Sequence, residues 1–205
     1  MTSIKLAALS AIAAMTFGGL ANAQAANTDF KAVQAGDYSI ETHHTRVLFS
    51  VSHMGFSTWY GDFAGVTGSA KIDPAHPAAD ALDVAIPTAS VTTTNATLDG
   101  ELKSADWFDA AKYPAITFKS RQFTVTGPDK GQVVGDLTFH GVTRPVTLNV
   151  TFHGAGKNPM SQAYTAGFEV SGAIRRSDFG VTKYVPLIGD DVDLIISAVF
   201  EKTAP

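Results

Sequence analysis

The chain has 205 residues, a formal net charge of −4 and no cysteine. The lack of cysteine excludes disulfide bonds and haem attachment through a Cys-x-x-Cys-His motif. A mildly acidic chain without a basic cluster is unsuited to nucleic acid or to an anionic membrane surface, so we expect neither as a partner.

The N-terminus has the pattern of a secretory signal peptide. One lysine precedes an apolar stretch at 6–20, and the small-x-small sequence Ala-Asn-Ala follows at 21–23. The stretch is too short and too interrupted by glycine and serine to favour a membrane anchor, and no later segment is apolar enough for stable membrane insertion. We predict a signal peptide at 1–23, export to a bacterial periplasm, a flexible mature segment at 24–36 and one folded domain at 37–203.

Alternation of apolar and polar residues dominates the mature chain and predicts antiparallel strands. In PVTLNVTFH, for example, Val146, Leu148 and Val150 alternate with polar residues, so one face of the strand is apolar. The same pattern predicts eight long strands, at 46–54, 58–73, 80–88, 114–126, 131–140, 143–153, 163–176 and 190–202. A short segment at 38–42 has the pattern of the start of the first strand, followed by a kink at the sequence THHT.

Consecutive strands joined by short turns favour an up-and-down meander. Closing eight such strands removes both exposed edges and leaves an interior wide enough for one small ligand. Small and large inward residues alternate in places, such as Ala166 beside Phe168, which suits a partly open lumen. We therefore predict an all-β, eight-stranded antiparallel up-and-down barrel. A two-sheet sandwich is the alternative that periodicity does not separate from it.

Residues 92–114, between the third and fourth long strands, break the alternation and predict a short helical cap. Leu98 and Leu102 are four residues apart, which is the spacing of one helical face. Ser104 can cap a helical turn, and Pro114 ends the segment because the residue before a proline avoids helical geometry.

Loop parity predicts which residues share one rim of the barrel. In an up-and-down barrel, alternate loops lie at the same end, and one set of loops here holds most of the aromatic and basic loop residues. Apolar rings with a few polar groups are what an amphiphile site requires, so we predict a binding mouth there. The predicted mouth and head-group residues are His53, Trp107, Phe108, His140, Arg144, Arg176 and Phe179.

Two features of this rim have alternative interpretations. Trp107 and Phe108 either plug the core or gate a ligand. Arg176 shares the parity of the inward-facing Ile174, and a buried guanidinium needs a partner. We favour an internal partner, Asp178 or another carboxylate, over a phosphate or quinone oxygen of a ligand.

The apolar parity of the strands predicts a lumen that holds one long-chain amphiphile, tail inward. Each buried methylene contributes about 0.8 kcal/mol, so a long tail would bind tightly. The predicted lining residues are Phe49, Val51, Phe118, Leu148, Val150, Phe168, Val170 and Ile196.

Motifs for catalysis and for metal binding are missing from the sequence. There is no Gly-x-Ser-x-Gly elbow and no phosphate loop, so we predict no enzyme and no cofactor other than a bound lipid. The adjacent His43 and His44 point to opposite faces of a strand, and we predict no metal site. A hydrolase built from Ser177, Asp178 and His140 stays an alternative, as does an interaction module without a ligand.

Four motifs, in this order, resemble the YceI-like lipid- and polyisoprenoid-binding family. They are FSVSHMGFST with GDFAGVTGSAKID, LKSADWFDAAKYPAITFKS, GDLTFHGVTRPVTLNV, and RRSDFGVTKYVPLIGDDVDLII. The resemblance covers the chain from Asp37 to Lys202. It implies a lipocalin-like periplasmic barrel with an isoprenoid quinone, a polyprenyl phosphate or a fatty-acid-derived lipid in its lumen.

The chain departs from the family pattern before the helical cap. Residues 98–102 read Leu-Asp-Gly-Glu-Leu, where the family often has an Arg-Asp-x-x-Leu run. Since a cation is missing there and the chain is acidic, we expect a neutral or weakly polar head group. The sequence leaves a homodimer open.

Overall fold

Antiparallel strands build almost the whole of the computed structural model, which describes residues 26–203. Within that range there are ten strands and one α-helix. Their bounds are β1 Gly36–Ile40, β2 Arg46–His53, β3 Ser57–Phe63, β4 Thr67–Ile72, β5 Ala81–Pro87, α1 Ala96–Lys103, β6 Ala115–Val125, β7 Lys130–Phe139, β8 Val142–Lys157, β9 Tyr164–Arg175 and β10 Ile188–Lys202.

The strands close into a barrel. The order in the sheet is β1-β4-β5-β6-β7-β8-β9-β10-β2-β3, and β1 also pairs with β10. β10 pairs along one edge with β1 and β2 in turn, so these two strands act as halves of one long strand. β3 and β4 are likewise halves of the next strand, paired with β2 and β1. The eight-stranded antiparallel up-and-down barrel is confirmed, and the sandwich alternative is wrong.

Two local features divide the long strands. The Glu41 carboxylate accepts hydrogen bonds from the backbone N–H groups of His43 and His44, which turns the chain at the predicted kink. The predicted strand at 58–73 is interrupted at Gly65, whose φ of 69° lies in the left-handed region that favours glycine. Val66 beside it is buried in the core.

The helical cap lies between β5 and β6 as predicted, but Ser104 is not its N-cap. Asn95 is the N-cap, and its side chain accepts hydrogen bonds from the N–H groups of Thr97 and Leu98. Ser104 instead closes the C-terminal end by donating to the Glu101 carbonyl. The two leucines belong to the turns before Ser104, and Leu102 is buried against the barrel.

The start of the described chain also differs from its prediction. We expected 24–36 to be flexible, but some residues of this segment contact the barrel. Asn27 forms an antiparallel bridge with Ala155, the Phe30 ring packs edge-on against Phe152, and Val33 is buried. The predicted signal peptide and residues 24–25 lie outside the described residues.

Loop positions define two ends of the barrel. The helical end carries α1 and the β2–β3, β7–β8 and β9–β10 connections. The turn end carries the β4–β5, β6–β7 and β8–β9 connections. A cluster of aromatic and aliphatic side chains, including Trp107 and Phe179, fills the helical end, and a second cluster around Tyr38 and Phe152 lies towards the turn end.

Candidate functional site

An apolar cavity of about 300 Å³ lies inside the barrel. Several inward side chains, such as Phe49, Val150 and Ile196, are only half-buried, because the lumen between the strands is not filled. A close-packed interior would leave few such voids. The cavity wall includes all the predicted lining residues, which are Phe49, Val51, Phe118, Leu148, Val150, Phe168, Val170 and Ile196. Contact between them and a ligand stays a prediction.

Glycines on neighbouring strands help to keep the lumen open. A side-chain carbon at Gly61 would overlap the Phe49 ring, and one at Gly135 would overlap the Phe118 ring. These glycines therefore let both large rings lie flat along the barrel wall instead of projecting across the lumen. Both glycines are needed for close approach rather than for an unusual φ.

The helical end of the cavity is sealed by aromatic side chains. Trp107 and Phe108 line the cavity and are 8% and 9% exposed. The Phe108 ring packs edge-on against Phe139, with centroids 5.2 Å apart, and Phe139 packs on the buried Phe179. The structure therefore places a plug where loop parity predicts a mouth. A gating role for the two residues stays a prediction.

Arg176 reaches the cavity wall, but its partners differ from those we expected. Its guanidinium donates from Nε to the Gly189 carbonyl at 2.8 Å, from Nη1 to the Val181 carbonyl at 2.9 Å and from Nη2 to the Ile188 carbonyl at 2.8 Å. It also lies over the Trp107 ring, 5.4 Å from the centroid. Three backbone carbonyls are thus the partners of the guanidinium, where we expected a carboxylate.

The nearby charges show why a carboxylate is not the partner of Arg176. Asp178 is exposed, and Asp190 binds the neighbouring Arg175 and Ser177 instead. Burial lowers the pKa of Arg176, and the charge of Asp190 opposes that change from a distance. The β9–β10 loop and the start of β10 surround the guanidinium, and their carbonyls compensate for its burial.

Four of the predicted rim residues do not reach the cavity wall. His53 is the last residue of β2 and lies beside the Trp59 ring, beyond the wall of the cavity. His140 has a left-handed φ of 49° and its Nδ1 lies 3.2 Å from the Phe179 carbonyl oxygen. Arg144 is exposed, and Phe179 is buried behind the aromatic plug.

The structure does not assemble the alternative hydrolase site. Ser177 Oγ donates to the Asp190 carboxylate at 2.7 Å, whereas His140 faces the Phe179 carbonyl. Hydrogen bonds from Ser177 and Arg175 outweigh burial and lower the pKa of Asp190. This carboxylate therefore anchors the start of the β9–β10 loop.

The cavity opens at the turn end. Its exposed wall residues all lie in two segments, 71–81 and 124–132, which are the ends of the β4–β5 loop and the β6–β7 turn. They are Lys71, Ala81, Thr124, Val125, Pro128, Lys130 and Gln132. Loop parity placed the mouth at the other end, where the aromatic and basic loop residues lie, and so missed this opening. The signal for it is a run of small apolar residues, Pro77–Ala79, beside the exposed Val125.

Asp80 holds the β4–β5 loop beside the opening and lies on the cavity wall. Its Oδ1 accepts a hydrogen bond of 2.7 Å from the Asp73 N–H, which closes the base of the loop. The Asp73 carboxylate in turn accepts from the Ala75 N–H and lies 3.0 Å from His76 Nδ1. Burial raises the pKa of Asp80 to about 6. The hydrogen bond from the Asp73 N–H lowers this pKa, and the negative charge of Asp73 raises it further.

Residues 26–203 contain neither a cluster of metal ligands nor a helix that could span a membrane. No group of three or more histidine, aspartate or glutamate side chains could hold a metal ion in this range. No helix among these residues is long and apolar enough to cross a membrane.

Comparison with known proteins places the chain in a family. Residues 38–200 match the YceI-like domain. Protein YceI of Escherichia coli O157:H7 is 42% identical over 165 residues, which cover 80% of this chain and 85% of that protein. The crystal structure of BcnA from Burkholderia cenocepacia has a TM-score of 0.71 and 27% identity, covering 78% of this chain and 98% of that one.

A more distant solved structure shares the fold. It is a polyisoprenoid binding domain from Saccharophagus degradans, implicated in plant cell wall breakdown. Its TM-score is 0.61 at 16% identity, and the match covers 81% of this chain and 98% of that one. Since the family match extends over most of the sequence, the chain belongs to the YceI-like domain family.

Proposed function

We propose that this protein binds one long-chain amphiphile in its barrel and carries it without catalysing a reaction. The observation that carries the proposal is the apolar cavity, which runs from the aromatic plug to an opening at the turn end. An unfilled apolar lumen inside a closed barrel is suited to a hydrocarbon tail. The polyisoprenoid binding of the distant structural neighbour supports the same class of ligand.

The chemistry of the wall favours tight but poorly discriminating binding. Each methylene that leaves water contributes about 0.8 kcal/mol. A naive sum over some tens of carbons would pass the practical ceiling of about −18 to −21 kcal/mol, so the cost of ordering the tail must offset part of it. We therefore expect the lumen to limit tail length and the opening to select the head. Isoprenoid quinones, polyprenyl phosphates and fatty-acid-derived lipids are the candidate ligands.

The proposed compartment is the bacterial periplasm, on the strength of the signal-peptide pattern at 1–23. Cell fractionation of the native host tests it, together with the mass of the mature protein, which should begin at Gln24. Recovery of an unprocessed chain from the cytoplasm would overturn this part of the proposal.

The binding proposal is tested by purifying the protein from its native host without detergent. Native mass spectrometry should show one lipid for each chain, and extraction should release it for identification. A bare mass in repeated preparations, with no uptake of added lipid, would instead favour the interaction module without a ligand. The same spectra test the homodimer, which stays a prediction.

A further inference from the structure

We infer that the polar head of the bound lipid lies at the turn end and is an uncharged alcohol, which donates a hydrogen bond to the Asp80 carboxylate. This inference rests on the proposed lipid binding and adds the orientation of the lipid. It also narrows the class of head group, since it sets the phosphate and quinone heads aside in favour of a hydroxyl group. It reverses the arrangement that loop parity predicts, in which the head lies near Arg176.

The polar groups at the helical end are already occupied or inaccessible. The Arg176 guanidinium donates to three backbone carbonyls and is 5% exposed. The Trp107 indole N–H has no hydrogen-bond partner among residues 26–203, but it is buried and has almost no accessible surface. A head group placed there would have to displace packed rings, whereas the end of an apolar tail would meet Leu102, Trp107 and Phe108 without losing hydrogen bonds.

The turn end offers a polar atom beside open space. Asp80 is on the cavity wall, and only its Oδ1 is hydrogen-bonded to another of the described residues, the Asp73 N–H. Its second oxygen is therefore a free acceptor next to the opening. A hydrogen bond to a charged group is about twice as strong as one between neutral groups, so this acceptor can select a head that donates.

The charges around the opening disfavour a phosphate head. Asp80 and Asp129 both line the cavity, and a phosphate beside two carboxylates would be repelled. Lys71 and Lys130 also line it, but both side chains are exposed to solvent, where screening weakens their attraction. The oxygens of a quinone are hydrogen-bond acceptors, so a quinone could not donate a hydrogen bond to the Asp80 carboxylate. A hydroxyl head meets neither difficulty.

The orientation can be tested with the tryptophans of the chain. The chain has two, Trp59 and Trp107, so Trp59→Phe leaves Trp107 as the single reporter at the helical end. β6 has 11 residues and runs from one end of the barrel to the other. With a rise of about 3.3 Å per residue and a tilt of about 40°, the two ends are roughly 28 Å apart along the barrel axis. We expect a fatty alcohol with a nitroxide near its tail end to quench Trp107, and one labelled beside the head to quench it weakly.

The head chemistry can be tested with a single substitution. Asp80→Asn keeps an oxygen for the Asp73 N–H, so the loop can still close, but it can present an N–H where the free acceptor was. Asp83→Asn is the matched control, because Asp83 lies three residues further along the chain, in β5, and is exposed, with its carboxylate 3.9 Å from Lys119 Nζ. Binding of a polyprenol, its methyl ether, the polyprenyl phosphate and a quinone of equal tail length is compared at pH 8.

We expect the polyprenol to bind at least tenfold more tightly than its ether or the phosphate, and Asp80→Asn to reduce this preference below threefold. Asp83→Asn should leave it unchanged. Stronger quenching by the head label, a preference for the phosphate, or an equal loss for alcohol and ether in Asp80→Asn would each overturn the inference. Binding of none of these lipids would overturn the proposed function as well, and is a different result from binding in the reverse orientation.

Discussion

Replacing Arg176 with alanine should lower the free energy of unfolding by about 3–5 kcal/mol while changing lipid preference little. The guanidinium satisfies the carbonyls of Gly189, Val181 and Ile188, and its side chain is 5% exposed. Each buried acceptor left without a donor costs about 1–3 kcal/mol. The expected total is near the lower end of the sum, because water can enter the vacated space and bind some of the carbonyls.

The adjacent Arg175 provides a matched control. Its ion pair with Asp190 has a distance of 2.9 Å, but the arginine side chain is 63% exposed. An exposed pair contributes about 0–1 kcal/mol, so Arg175→Ala should have a small effect. Urea unfolding at neutral pH, followed by circular dichroism, measures both variants, and Arg176→Lys provides a milder substitution if the alanine variant does not fold.

Lipid binding decides between the structural role of Arg176 and a role in ligand recognition. The ratio of affinities for a polyprenyl phosphate and a quinone of equal tail length should change less than threefold in the folded Arg176 variant. The reasoning fails if Arg176→Ala costs less than Arg175→Ala. It also fails if the wild type prefers the phosphate tenfold, in a salt-sensitive manner, and the variant loses that preference.

Three further predictions concern the plug, the lumen and the opening. Trp107→Ala should speed lipid release more than it slows uptake, as measured by displacement of a fluorescent lipid; an unchanged off-rate would leave plain plugging. Val170→Phe, in the half-empty lumen, should weaken binding at least tenfold in a lipid titration, while its cost in unfolding free energy stays below the ~1–3 kcal/mol of an overpacked core. The pKa of Asp80 is raised to about 6 in the folded protein, so the stability it contributes is fully present below about pH 4 and is lost as pH rises to about 6. Urea unfolding across this range should show that decline relative to Asp80→Asn, and parallel curves would contradict it.

The strands and the lining residues could be predicted because the information for them is local. Because side chains alternate between the two faces of a strand, Leu148 and Val150 lie on the same face, independently of the rest of the chain. Short turns then pair each strand with the next one in the sequence. The sheet closes into a barrel because its two edge strands would otherwise have unpaired backbone groups. The division of the long strand at Gly65 was missed, because a single glycine within an alternating pattern does not by itself predict the end of a strand.

The partners of buried polar groups could not be predicted from the sequence in the same way. Parity correctly indicated that Arg176 faces inward, but it contains no information about backbone carbonyls that a loop brings back from 181–189. The contact between the Phe30 and Phe152 rings was also not predictable, because it joins residues that are far apart in the sequence. The capping role of Ser104 differed for another reason. Asn95 and Ser104 are both good N-caps, and only the helical turns that form show which of them acts at the N-terminus.

The plug at the predicted mouth follows from how aromatic side chains pack at the end of a barrel. Loop parity grouped Trp107, Phe108 and Phe179 at one end, and we interpreted rings near an axis as a rim for a ligand. Rings bury large apolar areas and pack edge-on against each other, so a cluster of them closes the space it occupies. The other end has the small residues of Pro77–Ala79 and a turn at 127–130, which do not fill the axis and leave the cavity open. In this barrel, the opening therefore lies at the end with the smaller loop side chains, and the floor lies at the end whose loops carry the aromatic rings.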